Sequence, residues 1–370
     1  SGHALMRTSH QNGHMVATAF RSRTSRLTAL LTTPLVPADY LDLFDPLRPG
    51  PQLRARIMEV RQETRDAATV VLRVGRSWAG HLPGQWVRVG VDVDGVRHWR
   101  AYSLTSRPSS DRLVSITVKA VADGRVSSYL VGQARPGSIV QLDQACGDFV
   151  LPTVRPPRSL FVTAGSGITP VMGILRHDLD SLEDVIVVHS APTPDDVIFG
   201  AELRALAGQG RLHLVERHTS IDGHLTPVQL ADLVPDWRDR ETWACGPSGL
   251  TSALEAQWSA HGLLDRMHVE RFQPVVLAAS TDDGGTVAFE RSNVTVASGP
   301  TTPLLEAGEE AGVLLPSGCR MGICFSCVTP LTGGAVRDVR TGVLTVADSG
   351  RPVLIQTCVS AAAGPCQLDA

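Results

Sequence analysis

Lysine is almost absent from this chain of 370 residues. Of 34 basic residues set against 37 acidic ones, Lys119 alone is a lysine, a skew read as genome composition. The formal charge is -3, and no block of like charges occurs. That excludes the basic surface of a general nucleic-acid binder, so no nucleic-acid partner is expected. No run approaches the ~18–20 apolar residues of a membrane-spanning helix; runs such as Leu160–Ala164 and Val185–Val188 are far too short. Residues 1–14 lack an apolar signal core and read as a leader outside the fold. Without a secretion signal the seven cysteines are expected in a reducing cytoplasm, where clustered cysteines point to metal or catalysis rather than to disulfides.

What is present reads as a multidomain chain, with 43% hydrophobic residues, an ordinary globular fraction. Residues 15–52 form an N-terminal extension with an apolar stretch, Tyr40, Leu41, Leu43, Phe44 and Leu47. Two readings stand for it: a helix packed over the next domain, or peripheral contact with a membrane. Four arginines against three aspartates there make a poor anionic-lipid anchor. In residues 53–152, short runs (Val70–Val74, Trp86–Val91, Val114–Val118) alternate with Pro83-Gly84, Asp94-Gly95, Asp123-Gly124 and Pro136-Gly137 turns, the pattern of an antiparallel β-barrel. In residues 153–274, strands at Leu160–Ala164, Val185–His189, Leu212–Glu216 and Thr242–Ala244 alternate with helices at Val171–Asp178, Ala201–Ala207 and Gly249–His261, the rhythm of a parallel α/β sheet. Residues 275–285 read as a linker, and 286–370 as a small cysteine-bearing α+β unit.

The strongest local signal is Cys319, Cys324 and Cys327, with Cys358 further on. C-x4-C-x2-C…C is the plant-type spacing for a [2Fe–2S] cluster, whose two irons need four thiolates. Zinc is the competing reading. It usually takes two C-x2-4-C knuckles or Cys/His pairs, whereas one C-x2-C occurs here and no histidine follows residue 269. Residues 286–370 resemble a plant-type ferredoxin domain, which implies a β-grasp-like fold. Cys146 and Cys366 fit no ligand pattern and read as small buried side chains.

Arg100-Ala101-Tyr102-Ser103-Leu104-Thr105 resembles the R-x-Y-S-x-[TS] signature of ferredoxin–NAD(P)+ reductase-like flavoproteins, which implies a flavin, and its residue types suit one. An arginine can bind its phosphate with fixed donors. A tyrosine ring can cover the isoalloxazine face, and a serine hydroxyl can reach the region where hydride arrives. By itself such a segment also suits an ordinary strand. Pro83-Gly84-Gln85 precedes it, and Thr117-Val118-Lys119, Gly124-Arg125-Val126-Ser127 and Gly147-Asp148-Phe149 follow, in that family's order. The resemblance implies Arg100, Tyr102, Ser103, Thr117, Lys119, Gly124, Val126 and Ser127 as flavin-binding. It implies FAD, with FMN the alternative.

Leu160–Ala164, then Gly165-Ser166-Gly167-Ile168-Thr169-Pro170, then an apolar helix is a strand, glycine-rich turn and helix start suited to a pyrophosphate. The G-x-G-x-x-P form matches the same flavoprotein family, as does Cys245-Gly246-Pro247. The resemblance places Cys245 beside the nicotinamide and Phe272, in Glu270-Arg271-Phe272, near the flavin; Ser103 and Cys245 are the expected catalytic residues. NADPH and NADH both stay open. After the second strand come Ser190 and Asp195-Asp196, with no arginine before Arg204, and Arg217 ends the third.

The whole order resembles single-chain reductases of oxygenases and desaturases. Leu31-Thr32-Thr33-Pro34, Asp39-Tyr40-Leu41, His189–Thr193, Asp236-Trp237-Arg238 and Gly318–Cys324 resemble the actinobacterial reductases that feed membrane stearoyl-CoA Δ9-desaturases. The implied function is passage of electrons from NAD(P)H through flavin and cluster, one at a time, to a membrane desaturase. A cytochrome P450, an alkane hydroxylase or a ring-hydroxylating oxygenase is the alternative acceptor. The implied location is the cytoplasm, with peripheral contact at the inner membrane face as the further option. A self-contained dehydrogenase would need a substrate domain of its own, and none is seen in the sequence; a redox-sensing binding protein has no need of the C-G-P and R-x-Y-S motifs together. The twelve histidines are given no catalytic role.

Overall fold

The structure is a computed structural model describing residues 44–370 apart from 51, 94, 123, 273–283, 319, 321, 323, 324 and 349. Residues 1–43, most of the 275–285 linker, and Cys319 and Cys324 therefore lie outside the described residues.

The first sheet holds β1 (Leu53–Thr64), β2 (Ala67–Val74), β3 (Trp86–Val93), β4 (Val96–Ser103), β5 (Leu113–Lys119) and β6 (Ile139–Leu142). Its order is β4-β3-β6-β1-β2-β5, with antiparallel neighbours. A bridge from Leu104 to Ile116 joins its two edges, so the sheet curls into a barrel. Alternate residues (Ala55, Ile57, Val70, Leu72, Val87, Val89, Ile116, Val118) fill the interior. Pattern reading passes over β1. Its outward side is crowded with Arg54, Arg56, Arg61 and Gln62, and register shifts at Ile57/Glu59 and Gln62/Thr64 break the two-residue period.

The second sheet is parallel: β7 (Arg158–Ala164), β8 (Asp184–Ala191), β9 (His213–His218), β10 (Glu241–Cys245) and β11 (Met267–Glu270), in the order β11-β10-β7-β8-β9. Helices Ile168–Asp178, Gly200–Gly208, Pro227–Leu233 and Ser248–Ala260 cover it. Buried Phe161, Val187 and Trp243 belong to one core and Leu160, Val162 and Val188 to another, so the strands bury residues on both faces. β11 escapes pattern reading because it is short and only half-buried. The helix Ile168–Asp178 lies against the barrel, where Arg176 donates to the Thr105 carbonyl at 2.7 Å while pairing with Glu202.

The third unit holds β12 (Gly285–Phe289), β13 (Val294–Ser298), the helix Leu304–Glu310, β14 (Val328–Asp338), β15 (Leu344–Ala347), β16 (Val353–Gln356) and β17 (Ser360–Leu368). β12 runs parallel to β17 in a mixed sheet, and the helix packs Leu304 and Leu305 on Val287, Phe289 and Leu331. β12 starts at Gly285, the last residue assigned above to the linker.

One expectation changes. Cys146 is exposed, not buried; its backbone, bridged to Trp86, is what the barrel uses. Of the apolar stretch at 40–47, Phe44 is 88% exposed. Its Tyr40, Leu41 and Leu43 lie outside the described residues. Leu47 does reach the barrel, its carbonyl accepting from Arg76 N–H at 3.1 Å, and Asp45 pairs with Arg76 at 3.0 Å.

Candidate functional site

β4 carries Arg100, Tyr102 and Ser103. Cross-strand pairing sets Arg100 opposite Val89 and Tyr102 opposite Val87, on the side facing the barrel interior. Arg100 is half-buried and its side chain bonds Trp99 O at 2.8 Å. Among the described residues it has no carboxylate ion-pair partner. Burial first, and then the nearby Arg320 guanidinium, pull its pKa down to about 10, with Glu309 acting in the other direction. His98, on the same face, is held below its ordinary pKa by burial and by Arg125 and Arg100, and among the described residues its Nε2 has no hydrogen-bond partner. A half-buried guanidinium, an imidazole with an unsatisfied nitrogen and a second arginine in one region fit a phosphate. Burial also holds the Tyr102 hydroxyl well above its usual pKa, so its ring and neutral O–H suit a flavin face.

Other expected flavin residues are committed to the barrel itself. Lys119 Nζ lies 2.6 Å from Asp66, and Thr117 joins a buried hydroxyl chain with Thr69 at 2.7 Å and Thr105 at 3.4 Å. Val126 fills the barrel core. Ser127 Oγ donates to Gly124 O at 3.1 Å and accepts from Val121 N–H at 3.3 Å, closing its own loop. Gly124 has no room for a Cβ, which would overlap that hydroxyl.

At the carboxyl ends of the parallel strands, Gly165–Gly167 form one tight turn before the helix Ile168–Asp178. Gly165 adopts φ +54, which favours glycine, and faces open space. Gly167 has an ordinary φ of -61 but lies against Cys245, where a Cβ would overlap the carbonyl oxygen. Ile168, Thr169 and Pro170 are buried. Pro170 sits where a helix leaves its N–H unpaired anyway, and Thr169 Oγ1 donates to Ser166 O at 2.9 Å. Cys245 is fully buried, its thiol pushed well up by burial and by Glu270. Gly246 follows, and Pro247 caps the helix Ser248–Ala260. Phe272 is 40% exposed, just beyond β11.

The residue that motif reading passed over is Glu270, beside Cys245 in the sheet register. Ser103 Oγ donates to Glu270 Oε2 at 3.3 Å, joining the barrel's serine to the nucleotide sheet. Burial, with Asp148 adding to it, raises the carboxyl to about 8 although Ser103 opposes the shift. The signal was its place one step before Arg271-Phe272, but burial is a tertiary property. A carboxyl with its folded pKa above the ordinary 4.5 holds its proton better in the folded state. Its contribution to stability is greatest below that value and is lost as pH rises towards about 8. We expect the melting temperature of the wild type to fall over that window and that of Glu270→Gln to fall less; parallel pH profiles would contradict this.

In the third unit, Cys327 and Cys358 are buried with sulfurs 3.2 Å apart, close enough to share one metal ion. Thr329 and Thr357 hydroxyls donate to Cys327 O at 3.3 and 3.0 Å, and Gln356 Nε2 donates to Gly322 O at 3.0 Å, fixing the loop's backbone. Two adjacent thiols with their backbone held in place fit a thiolate-ligated cluster. The other two expected ligands, Cys319 and Cys324, lie outside the described residues.

A flavin barrel, a nucleotide sheet and a thiolate domain in one chain define an NAD(P)H-dependent oxidoreductase with FAD and a [2Fe–2S] cluster. Residues 54–151 match the oxidoreductase FAD-binding domain family, and residues 287–363 match the 2Fe-2S iron-sulfur cluster binding domain family. The chain is 49% identical over 352 residues to an NADPH oxidoreductase of Mycobacterium tuberculosis, covering 93% of this chain and 91% of that one. It is 30% identical to the ferredoxin reductase component of the 3-ketosteroid-9-alpha-monooxygenase of Mycolicibacterium smegmatis, covering 80% of this chain and 90% of that one. The fold is similar to phthalate dioxygenase reductase, with TM-score 0.60 and 23% identity over 86% of this chain and 98% of that chain. The chain belongs to the family of FAD- and [2Fe–2S]-containing NAD(P)H reductases that includes the mycobacterial NADPH oxidoreductase.

Proposed function

We propose that this chain takes electrons from NADPH and delivers them singly to a membrane acyl-CoA (stearoyl-CoA Δ9) desaturase. When bound, FAD accepts the hydride pair and the cluster passes electrons on one at a time. The chain's own residues supply position. Arg100 holds the flavin phosphate, Tyr102 lies on the ring, and Ser103 and Cys245 flank the path of hydride. Glu270 holds or releases a proton at Oε2 through the Ser103 hydroxyl. Gly165, Gly167, Ile168, Thr169 and Pro170 carry the nucleotide pyrophosphate, Gly246 and Pro247 shape its far wall, and Phe272 covers the flavin. Cys319, Cys324, Cys327 and Cys358 bind the cluster. Segments 53–152, 153–274 and 286–370 act as the three modules.

The Ser103–Glu270 hydrogen bond carries this reading, because it sets the flavin segment directly against the ends of β10 and β11. NADPH is favoured over NADH by unsatisfied polar atoms at the ends of β8 and β9. Ser190 pairs with Arg217 in register, and among the described residues Ser190 Oγ, Arg217 Nε and His218 Nδ1 are buried without hydrogen-bond partners, while Arg217 Nη2 donates to Asp222 O at 2.9 Å and His218 Nε2 lies 3.8 Å from Glu216. Such atoms suit a 2′-phosphate, whereas Arg204 is already held by Glu216 at 2.7 Å.

The desaturase is favoured by the sequence resemblance that includes residues 31–41. It would place the chain in the cytoplasm, at the inner face of the membrane; among the described residues no helix is long and apolar enough to cross one. A monooxygenase is the second reading, since the 3-ketosteroid relative is named as a monooxygenase component.

Anaerobic titration tests the donor. NADPH is expected to bleach the flavin and then reduce the cluster, and Arg217→Ala to lose at least about tenfold in NADPH affinity with NADH unchanged. Equal loss for both nucleotides would remove Arg217 from the 2′-phosphate site. Reconstitution with desaturase-containing membranes tests the acceptor, and product formation independent of this chain would reject the desaturase.

A further inference from the structure

The β3–β4 hairpin has an inner face, with Arg100 and Tyr102, and an outer face. Residues opposite one another across the pair share a face, so Arg88, Gly90, Trp99 and Ala101 point outward. An outward arginine paired with an aspartate is ordinarily a solvated surface pair of little consequence. Arg88 is different in three respects. Its side chain is only 18% exposed. Its guanidinium lies 5.4 Å from the centre of the Trp99 ring while pairing with Asp143 just beyond β6. It also donates to Ser326 Oγ at 2.6 Å, across a separation of 238 residues. Ser326 belongs to the third unit and sits between two of the expected cluster ligands, next to Cys327.

The Trp99 ring is itself fixed. It lies flat over Gly90, where a Cβ would stand 2.9 Å from the ring. Gly90 therefore leaves the space in which Trp99 can lie as a platform for Arg88. The same hairpin meets the third unit at a second place. Arg320, from the cluster loop, pairs with Glu309 at 2.5 Å, and both lie near enough to Arg100 to act on its charge. The strands that present the flavin segment inward thus receive the cluster loop as well.

We propose that Arg88 is a positioning residue. It docks the cluster loop onto the flavin hairpin, and passage of electrons from flavin to cluster depends on that contact. The proposal rests on the reading that the flavin feeds the cluster. Each hydride brings two electrons and one proton. The electrons pass between the docked units one at a time, the second after the first has left for the acceptor, and the proton is released. Arg88 neither carries an electron nor touches the nucleotide; it holds the two units together by a charge-assisted hydrogen bond and a cation–π contact.

The test uses the loaded, full-length protein with Arg88→Ala and, separately, Ser326→Ala. The second variant removes the same hydrogen bond without disturbing the barrel or leaving Asp143 unpaired. Anaerobic stopped-flow absorbance separates flavin reduction by NADPH from cluster reduction by flavin. Hydrogen exchange reads docking independently of turnover.

Both variants are expected to reduce flavin at the wild-type rate. Both should slow the second step by about tenfold, the scale of one charge-assisted hydrogen bond. Both should raise amide exchange around residues 325–328, and the double variant should lose little more than either single one. An internal rate within about twofold of wild type in both, or unchanged exchange, would overturn the proposal, as would equal slowing of both steps. If the wild-type flavin bleaches without cluster reduction, the underlying reading has failed instead, and the same traces show which has happened.

Discussion

Replacing Cys327 with serine is expected to abolish delivery of electrons while leaving entry of electrons intact. Cys327 and Cys358 bring their sulfurs to 3.2 Å inside a buried core with Leu331 and Val359. A serine oxygen is harder and far less readily ionised, so one iron loses a thiolate. Loss of groups that merely support a metal ligand costs ~10–100-fold, and loss of a ligand should exceed that. Reduction of a one-electron protein acceptor should therefore fall by more than about 100-fold. Flavin bleaching by NADPH should continue, because the barrel and the parallel sheet have cores of their own, separate from the one that holds Cys327. Cys358→Ser should behave alike. Iron content, the cluster's paramagnetic signal and stopped-flow flavin absorbance check this together. A variant that keeps full cluster occupancy would remove Cys327 from the ligand set.

Gly167→Ala is expected to damage entry of electrons as severely. The φ of Gly167 is one any residue can adopt, so the backbone bears no strain. The obstacle is the Cys245 carbonyl, which a Cβ would overlap. Either the turn moves off β10 or the strand moves, and overpacking of this kind costs about 1–3 kcal/mol. The displaced groups are those that align nucleotide with flavin, and a misplacement of about 1 Å can cost ~100-fold in rate. Gly165→Ala is the contrast. There a Cβ meets nothing within 4 Å, and only the left-handed φ of +54 is penalised, at about 1 kcal/mol. Flavin reduction rates under saturating NADPH and melting temperatures should rank Gly167→Ala well below Gly165→Ala. The reverse order would show that room for the nucleotide, not packing against β10, explains Gly167.

Those two glycines mark how far a sequence can be read. Strand, turn and helix around 160–178 are legible because local periodicity and turn chemistry dictate them, and the helix forms at Ile168–Asp178 as its apolar spacing requires. That one glycine serves a left-handed turn and the other a close approach to β10 is not legible, because the neighbour lies far away in sequence. Lys119 shows the same limit. Its motif position suggests a flavin contact, yet Asp66, adjacent across the β2–β5 pair, holds its ammonium.

From residue order alone came the chemical classes: four thiolates at plant-type spacing, a flavin segment on a strand and a glycine-rich turn before a helix. Each is local and carried by residue types whose bonding is fixed. The tertiary structure decided what lies between them: Glu270 raised to about 8 beside Ser103, and Arg88 bonded to Ser326 across two domains. Burial and long-range contact depend on how separate segments pack together, and no local pattern encodes that.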